Sequence, residues 1–310
     1  MRRLPHTRQF QLKILRWFAK HRRDLPWRRT RDPYRILVSE VMLQQTQVER
    51  VVTKYQEWLR RFPTVERLAQ APQRQVILAW SGLGYNRRAL HLQRAARMVM
   101  KEYGGRFPRT KEELMRLPGV GVATAGSLLA FAFGKDVTSL DVNIKRVLHR
   151  YFVGSEFPDW KKNDRWLEDL GNMAVPEGKG HDWNQAMMDF GSLVCTARRP
   201  LCAICPLQKN CRAYPKILID VKGKRKGWDR VEPGPSSQPE IPNRIFRGRV
   251  IEALRQAPRH SLAIRKLAPM VKKDFNEDDA RWFDGIIGGL EKDGFITITK
   301  KQDTQIVRLL

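Results

Sequence analysis

All four cysteines of this 310-residue chain lie in one short segment, as Cys195, Cys202, Cys205 and Cys211 with the spacing C-x6-C-x2-C-x5-C. Thiols crowded into so few residues are typical of metal ligation, and disulfides are the weaker interpretation for a chain without a secretory leader. Structural zinc sites usually bring two C-x2-4-C pairs, whereas only Cys202 and Cys205 form such a pair here. Because thiolates also hold iron–sulfur clusters, we expect a 4Fe–4S cluster, with zinc as the alternative.

Two carboxylates have surroundings that could support acid–base chemistry. Glu40 lies in a helical pattern beside apolar Leu37 and Val41. Burial there would favour the neutral carboxyl and raise its pKa, as a general acid at neutral pH requires, although a surface or salt-bridged glutamate is the alternative. Asp141 directly precedes an amphipathic helix predicted over residues 144–151. Its plainest interpretation is a helix N-cap.

A glycine-containing turn separates two helical stretches at residues 117–121, LPGVG. Gly119 and Gly121 permit a tight turn with outward-facing amides. Such amides, at the N-terminus of the following helix, can hold a phosphate group.

The charge of the chain points to a polyanionic partner. The formal net charge is +27 and the isoelectric point is near 10.5. A surface this basic neutralises phosphates and releases their counterions, so nucleic acid is the expected partner. No apolar run approaches the roughly 18 residues of a membrane span. We expect a soluble, cytoplasmic protein, nucleoid-associated in a prokaryote, and nothing in the sequence predicts an oligomer.

The elements that must position these residues are mostly helices. Apolar residues recur at helical spacing from Gln9 to Phe190, with prolines between the segments, so we predict an all-α domain over residues 1–219 that the cysteine loop closes. Residues 220–242 read as a basic, proline-rich linker.

The last segment, residues 243–310, has a different pattern. We predict helices at 246–254, 261–271 and 277–292, followed by a hairpin of strands 295–299 and 305–309. Three helices and a hairpin are the order of a small α+β winged-helix domain. Its DNA contacts would come from Arg281 of the third helix and from Lys300 and Lys301 at the hairpin tip, although winged helices also bind proteins.

The helix-hairpin-helix turn, the downstream Asp141 and the cysteine spacing together resemble the DNA glycosylase superfamily that includes endonuclease III. Four further segments closely resemble the adenine glycosylases of the MutY type: residues 24–28 (DLPWR), 39–48 (SEVMLQQTQV), 82–85 (GLGY) and 184–189 (NQAMMD). The resemblance runs from about Gln9 to Arg212.

This resemblance implies a helix-hairpin-helix glycosylase fold with a 4Fe–4S cluster, acting on double-stranded DNA with a mismatched or oxidised base pair. It implies that Glu40 protonates adenine at N7, that Asp141 stabilises the oxocarbenium ion or its covalent successor, and that Asn143 positions the acid–base network. The base must first leave the duplex. The implied DNA-contacting and base-contacting residues are Trp27, Arg28, Gln44, Gln45, Thr46, Leu83, Tyr85, Leu117, Gly119, Gly121 and Gln185. Taken singly, Trp27 and Leu83 are more typical of a protein core than of a DNA contact.

The chain departs from the MutY pattern in three places. Ala123 stands where lyase members carry lysine and MutY-type enzymes carry serine or tyrosine, so no amine is available for a Schiff base. Val142 replaces the glycine that MutY-type enzymes have between Asp141 and Asn143, a position where thymine glycosylases also carry a larger residue. The winged-helix pattern replaces the usual Nudix-like domain.

We therefore expect a monofunctional glycosylase that hydrolyses the bond to adenine opposite 8-oxoguanine or guanine. The alternatives are a G:T or G:U pyrimidine glycosylase and a noncatalytic DNA-binding protein.

Overall fold

The computed structural model of the chain describes residues 5–154, 164–217, 241–301 and 304–310. Most of these residues are helical, as predicted. The helices are α1 (Thr7–His21), α2 (Pro33–Leu43), α3 (Val48–Arg61), α4 (Val65–Gln70), α5 (Gln73–Ala79), α6 (Arg87–Tyr103), α7 (Lys111–Arg116), α8 (Val122–Phe131), α9 (Val142–Phe152), α10 (Asp164–Ala174), α11 (Gly180–Leu193), α12 (Asn243–Gln256), α13 (Ile264–Val271) and α14 (Ala280–Lys292). Among the described residues, no helix is both long enough and apolar enough to cross a membrane.

The chain divides into two compact units, each built from two separate stretches. The first unit combines Met1–Glu40 with Phe107–Gly234, and the second combines Val41–Arg106 with Pro235–Leu310. The predicted division into residues 1–219, 220–242 and 243–310 follows chain order instead. Residues 220–240 of its predicted linker lie outside the described residues.

The core of the first unit is formed by the inner faces of α1, α9, α10 and α11. Phe10 of α1 is fully buried, and its ring lies against those of Tyr151, Phe152 and Trp183 at centroid distances of 4.5, 5.1 and 5.4 Å. Aromatic groups of this size dominate the apolar area that a core buries. This packing fixes α9, whose first residues follow Asp141.

The second unit joins the helices of its first stretch to a small α+β segment. Ile77 of α5 and Leu90 of α6 share one apolar core with Phe246, Val250 and Leu254 of α12 and with residues of α13 and α14. Strands β1 (Ser261–Ala263), β2 (Ile296–Lys301) and β3 (Thr304–Leu309) form an antiparallel sheet in the order β1-β3-β2.

The three helices and the hairpin predicted for this segment are confirmed, with one correction. The helix predicted from Ser261 begins only at Ile264, because residues 261–263 form β1 and pair with Ile306–Arg308 of β3. A strand of three residues has too few positions to show alternation in the sequence. The winged-helix name itself stays a prediction.

Candidate active site and cysteine site

Glu40 lies near the C-terminal end of α2, with its side chain half-buried beneath α8. Burial raises the pKa of Glu40 to about 7, and the neighbouring charge of Asp141 adds to the increase, while a hydrogen bond with Ser127 opposes it. The carboxyl is therefore largely protonated just below neutral pH. The sequence-based expectation of a raised pKa is confirmed.

A buried chain of polar groups fixes the hydroxyl that contacts Glu40. The oxygens of Ser127 and Ser139 are 2.5 Å apart, and the Ser139 amide donates to Asn184 Oδ1 at 2.6 Å. Asn184 Nδ2 in turn donates to the Val137 carbonyl at 2.8 Å. Sequence reasoning missed Ser127 and Ser139, because a single hydroxyl within a helical pattern has no distinctive spacing.

Asp141 caps the N-terminus of α9, so the plain interpretation is confirmed. The Ile144 amide donates to Oδ1 at 2.7 Å, and Asn143 Nδ2 donates to Oδ2 at 3.0 Å. Burial raises the pKa of Asp141, although these two hydrogen bonds and the charge of Arg146 oppose the increase. Each oxygen has an N–H donor, which fixes the carboxyl within electrostatic reach of Glu40.

Asn143 is itself held in place by a residue that sequence reasoning did not select. Arg146 Nη2 donates to Asn143 Oδ1 at 2.7 Å and to the Gly191 carbonyl at 2.6 Å, and its Nε donates to the Cys195 carbonyl at 2.8 Å. A Cβ on Gly191 would lie 2.7 Å from the Asn143 Cβ, so glycine is required there. Val142 is 70% exposed, which places this departure from the MutY pattern at the surface.

Arg28 and Trp27 were expected to contact the base. Trp27 is buried, and Arg28 forms a bidentate pair with the fully buried Asp189, with distances of 2.7 and 2.8 Å from its Nη atoms to the two carboxylate oxygens. Arg23 binds the same carboxylate through Nε at 2.6 Å. Burial alone would raise the pKa of Asp189, but the two guanidinium groups hold it below its usual range.

The other predicted pocket residue, Gln185, is also engaged within the protein. Its Nε2 lies 3.0 Å from His181 Nε2, and the side chain is only 7% exposed. Gln185 and Arg28 are thus both engaged with partners inside the protein.

The hairpin residues lie between α7 and α8, as predicted. Leu117 is buried, while Gly119 and Gly121 are exposed. Gly119 has a φ of 83°, which only glycine adopts without strain. The turn is therefore open to an external ligand on the side of its glycines.

The residues expected beside the partner base belong to the second unit, on two neighbouring loops. Gln44, Gln45 and Thr46 follow α2, while Leu83 and Tyr85 precede α6. Gln45 and Tyr85 are exposed, and both have left-handed backbone conformations, with φ of 57° and 44°. Strain of this kind in a non-glycine residue occurs mostly at functional sites.

Arg88, which sequence reasoning missed, joins these two loops. Its buried guanidinium donates to the carbonyls of Val41 and Leu83 at 2.8 and 2.9 Å and to Thr46 Oγ1 at 3.1 Å. The Tyr85 ring lies over it at 5.7 Å. Burial lowers the pKa of Arg88 to about 10, which leaves the group charged at neutral pH.

All four cysteines line one small cavity at the end of α9. Arg150 of α9 holds the loop through the carbonyls of Thr196 and Ala197 at 2.7 and 3.0 Å, and its Nη1 lies 3.5 Å from Cys195 Sγ. Burial raises the pKa of Cys205 to about 12, so this thiol gives up its proton only to a strongly polarising partner such as iron.

The four thiols around one cavity are a donor set that fits an iron–sulfur cluster. When bound, the cluster would cross-link the loop from Cys195, just after α11, to Cys211.

Two protein families match parts of the chain. Residues 38–172 match the HhH-GPD superfamily of base excision DNA repair proteins, and residues 195–211 match the iron-sulfur binding domain of endonuclease III. The second match spans all four cysteines, so the predicted iron–sulfur cofactor is confirmed.

The individual relatives are named either as adenine glycosylases or as thymine or thymine/uracil glycosylases. The adenine DNA glycosylase of Rattus norvegicus is 42% identical over 217 residues, which are 67% of this chain and 42% of that protein. The thymine/uracil-DNA glycosylase of Methanothermobacter thermautotrophicus is 37% identical over 204 residues, 66% of this chain and 92% of that protein. A solved thermostable thymine-DNA glycosylase matches with a TM-score of 0.63 and 36% identity, covering 68% of this chain and 97% of that one. The chain spans about two fifths of the length of the mammalian relatives it matches.

Proposed function

Because the chain belongs to the HhH-GPD superfamily of base excision DNA repair proteins, we propose that it is a DNA glycosylase that removes adenine mispaired with 8-oxoguanine or guanine. The observation that carries the proposal is the pairing of Glu40, whose pKa is raised to about 7, with the fixed carboxyl of Asp141. The adenine enzymes of three mammals are 42% identical to the chain, against 37% for the thymine/uracil enzyme, which supports adenine as the base.

The reaction begins once adenine has left the duplex stack and entered the site. Glu40 gives its proton to N7 of the base, the bond between N9 and C1′ breaks, and the bonding electrons move onto the base. Positive charge develops on the sugar. The Asp141 carboxylate, held by the Ile144 amide and by Asn143, stabilises that charge without having to reorganise.

The second step restores the enzyme. Water attacks C1′, and its proton passes to the Glu40 carboxylate, which becomes the acid for the next cycle. The products are free adenine and an abasic site. With Ala123 in α8, that position has no amine to form a Schiff base, so the DNA strand stays intact. This is hydrolysis without lyase activity.

A single-turnover assay tests the proposal on duplexes that contain A:8-oxoguanine, A:G, T:G or U:G, with and without alkali. Asp141→Asn is the control, because asparagine caps a helix as well as aspartate but lacks the charge. We expect alkali-dependent breaks at adenine that disappear in the variant.

Three results would contradict the proposal in different ways. Breaks confined to T:G or U:G would move the assignment to the pyrimidine enzymes. Breaks without alkali would refute the monofunctional mechanism. Tight binding with no product on any duplex would leave a noncatalytic DNA-binding protein.

A further inference from the structure

The second unit contains a large basic cleft whose arginines take no part in the reaction described above. It has a volume of about 1090 Å³ and lies between the loops of Gln45 and Tyr85 on one side and helix α12 on the other. Seven arginines line it against two acids, Glu252 and Asp293, which gives a net charge of +5 with histidine neutral. We propose that this cleft binds the phosphate backbone of duplex DNA, with α12 as a DNA-binding helix. The inference rests on the proposed function, which makes duplex DNA the polyanion that the protein must hold.

The two sides of the cleft are fixed to one another. Arg255 of α12 donates through Nη2 to the Ile77 carbonyl and to Asn86 Oδ1, both at 2.8 Å. Arg74 Nε donates to the Leu309 carbonyl at 3.0 Å, and the apolar core of the unit runs through both stretches. The cleft is therefore a built feature of the unit, and α12 is held at a constant distance from the two loops.

Some of the arginines are committed to internal partners and others are available. Arg88 and Arg255 bind carbonyls within the unit, and Arg247 pairs with Asp293 at 2.5 Å. Arg244 of α12 is exposed and makes no hydrogen bond or ion pair among the described residues. Arg50 of α3 is also exposed and reaches the Gly82 carbonyl only at 3.5 Å. One available guanidinium thus stands on each side of the cleft, ready for a phosphate.

The surface that a winged helix would be expected to use is less suited to DNA. Arg281 of α14 is exposed but does not line the cleft. It lies two residues after a turn that contains Glu277, Asp278 and Asp279, and the exposed Asp284 lies one helical turn further on. Asp279 is paired with Lys272, but the other three acids repel phosphates, so the charge distribution favours α12 over α14.

The test compares two full-length, cluster-loaded variants, Arg50→Ala/Arg244→Ala and the matched control Arg281→Ala. Binding to a fully paired duplex is measured by fluorescence anisotropy over a series of salt concentrations. Each lost phosphate contact reduces the slope of log K against log salt by about 0.9, so the double variant should lose about 1.8. When the salt concentration falls from 1 M to 0.1 M, the affinity of the double variant should therefore rise about 60-fold less than that of the unmodified protein. The control should keep both its slope and its affinity.

The readout separates this inference from the proposed function, since a fully paired duplex binds without any reaction. Thermal unfolding of both variants should match that of the unmodified protein, because Arg50, Arg244 and Arg281 are exposed. An unchanged slope in the double variant, or an equal loss in the control, would overturn the inference and leave the cleft to a protein partner.

Discussion

Replacing Ser127 by alanine should make the protein more active at alkaline pH. The Ser127 hydroxyl can donate to the ionised Glu40 carboxylate and holds its pKa down to about 7 against the effect of burial. A hydrogen bond to a charged group contributes about 1.5 kcal/mol, which is about one pH unit. The pKa of Glu40 in Ser127→Ala should therefore rise to about 8.

The size of the effect follows from the fraction of Glu40 that carries its proton. At pH 8 this fraction is about 9% for a pKa of about 7 and about 50% for a pKa of about 8, so the normalised rate should rise about fivefold. At pH 6 the carboxyl is at least about 90% protonated in both proteins, and their normalised rates should agree.

The assay is the single-turnover rate on the A:8-oxoguanine duplex at saturating protein from acid to alkaline pH, with each profile normalised to its acid plateau. Ser39→Ala is the matched control, because Ser39 is a buried serine beside Glu40 whose hydroxyl donates to the Ile36 carbonyl at 2.8 Å. An alkaline limb that stays in place or moves to lower pH would refute the reasoning. So would an equal movement in the control.

Three further predictions concern stability and the cofactor. In urea unfolding, the stability of Glu40→Gln relative to the unmodified protein should be about 3 kcal/mol higher at pH 8 than at pH 4.5. The reason is that a carboxyl with a raised pKa loses its stabilising contribution as the pH rises from 4.5 through about 7. The same stability difference between the two proteins at both pH values would contradict this. Asp189→Asn should lower the free energy of unfolding by about 3–5 kcal/mol and lower the thermal midpoint, because it leaves Arg23 and Arg28 without their buried counter-charge. A midpoint within one degree of that of the unmodified protein would contradict this role of Asp189. Cys205→Ser should lose the broad visible absorbance of the iron–sulfur cluster, and an unchanged spectrum of the anaerobically purified variant would exclude Cys205 as a ligand.

Burial and helix capping, which the sequence predicted correctly, are properties that show in the immediate neighbours of a residue. Glu40 stands among apolar residues on a helix, and Asp141 stands before one, so burial and capping could both be predicted locally. The spacing of the four cysteines alone predicted that they share one site. In each case the signal lay within a few residues of the group that carried it.

The residues that were missed depend on contacts between distant parts of the chain. Arg88 is one of 59 lysines and arginines, and only the folded chain brings carbonyls of α2 and of the loop before α6 to it. Ser127 and Ser139 become partners because α8 packs on the segment before α9, where Gly126 allows close approach to the Thr138 carbonyl. The pairing of Arg28 with Asp189 could not be predicted either, because the two residues are 161 positions apart in the sequence.

The interleaving of the two units has a consequence for the order in which the chain is made. Ile77 and Leu90 leave the ribosome well before α12 and α14, which supply the rest of their apolar core, while residues 107–234 are made in between. Until then this surface is open to other chains or to chaperones. A fragment that stops before Pro235 would retain both Glu40 and Asp141 and still be prone to aggregation, because the second unit closes only when the last helix emerges.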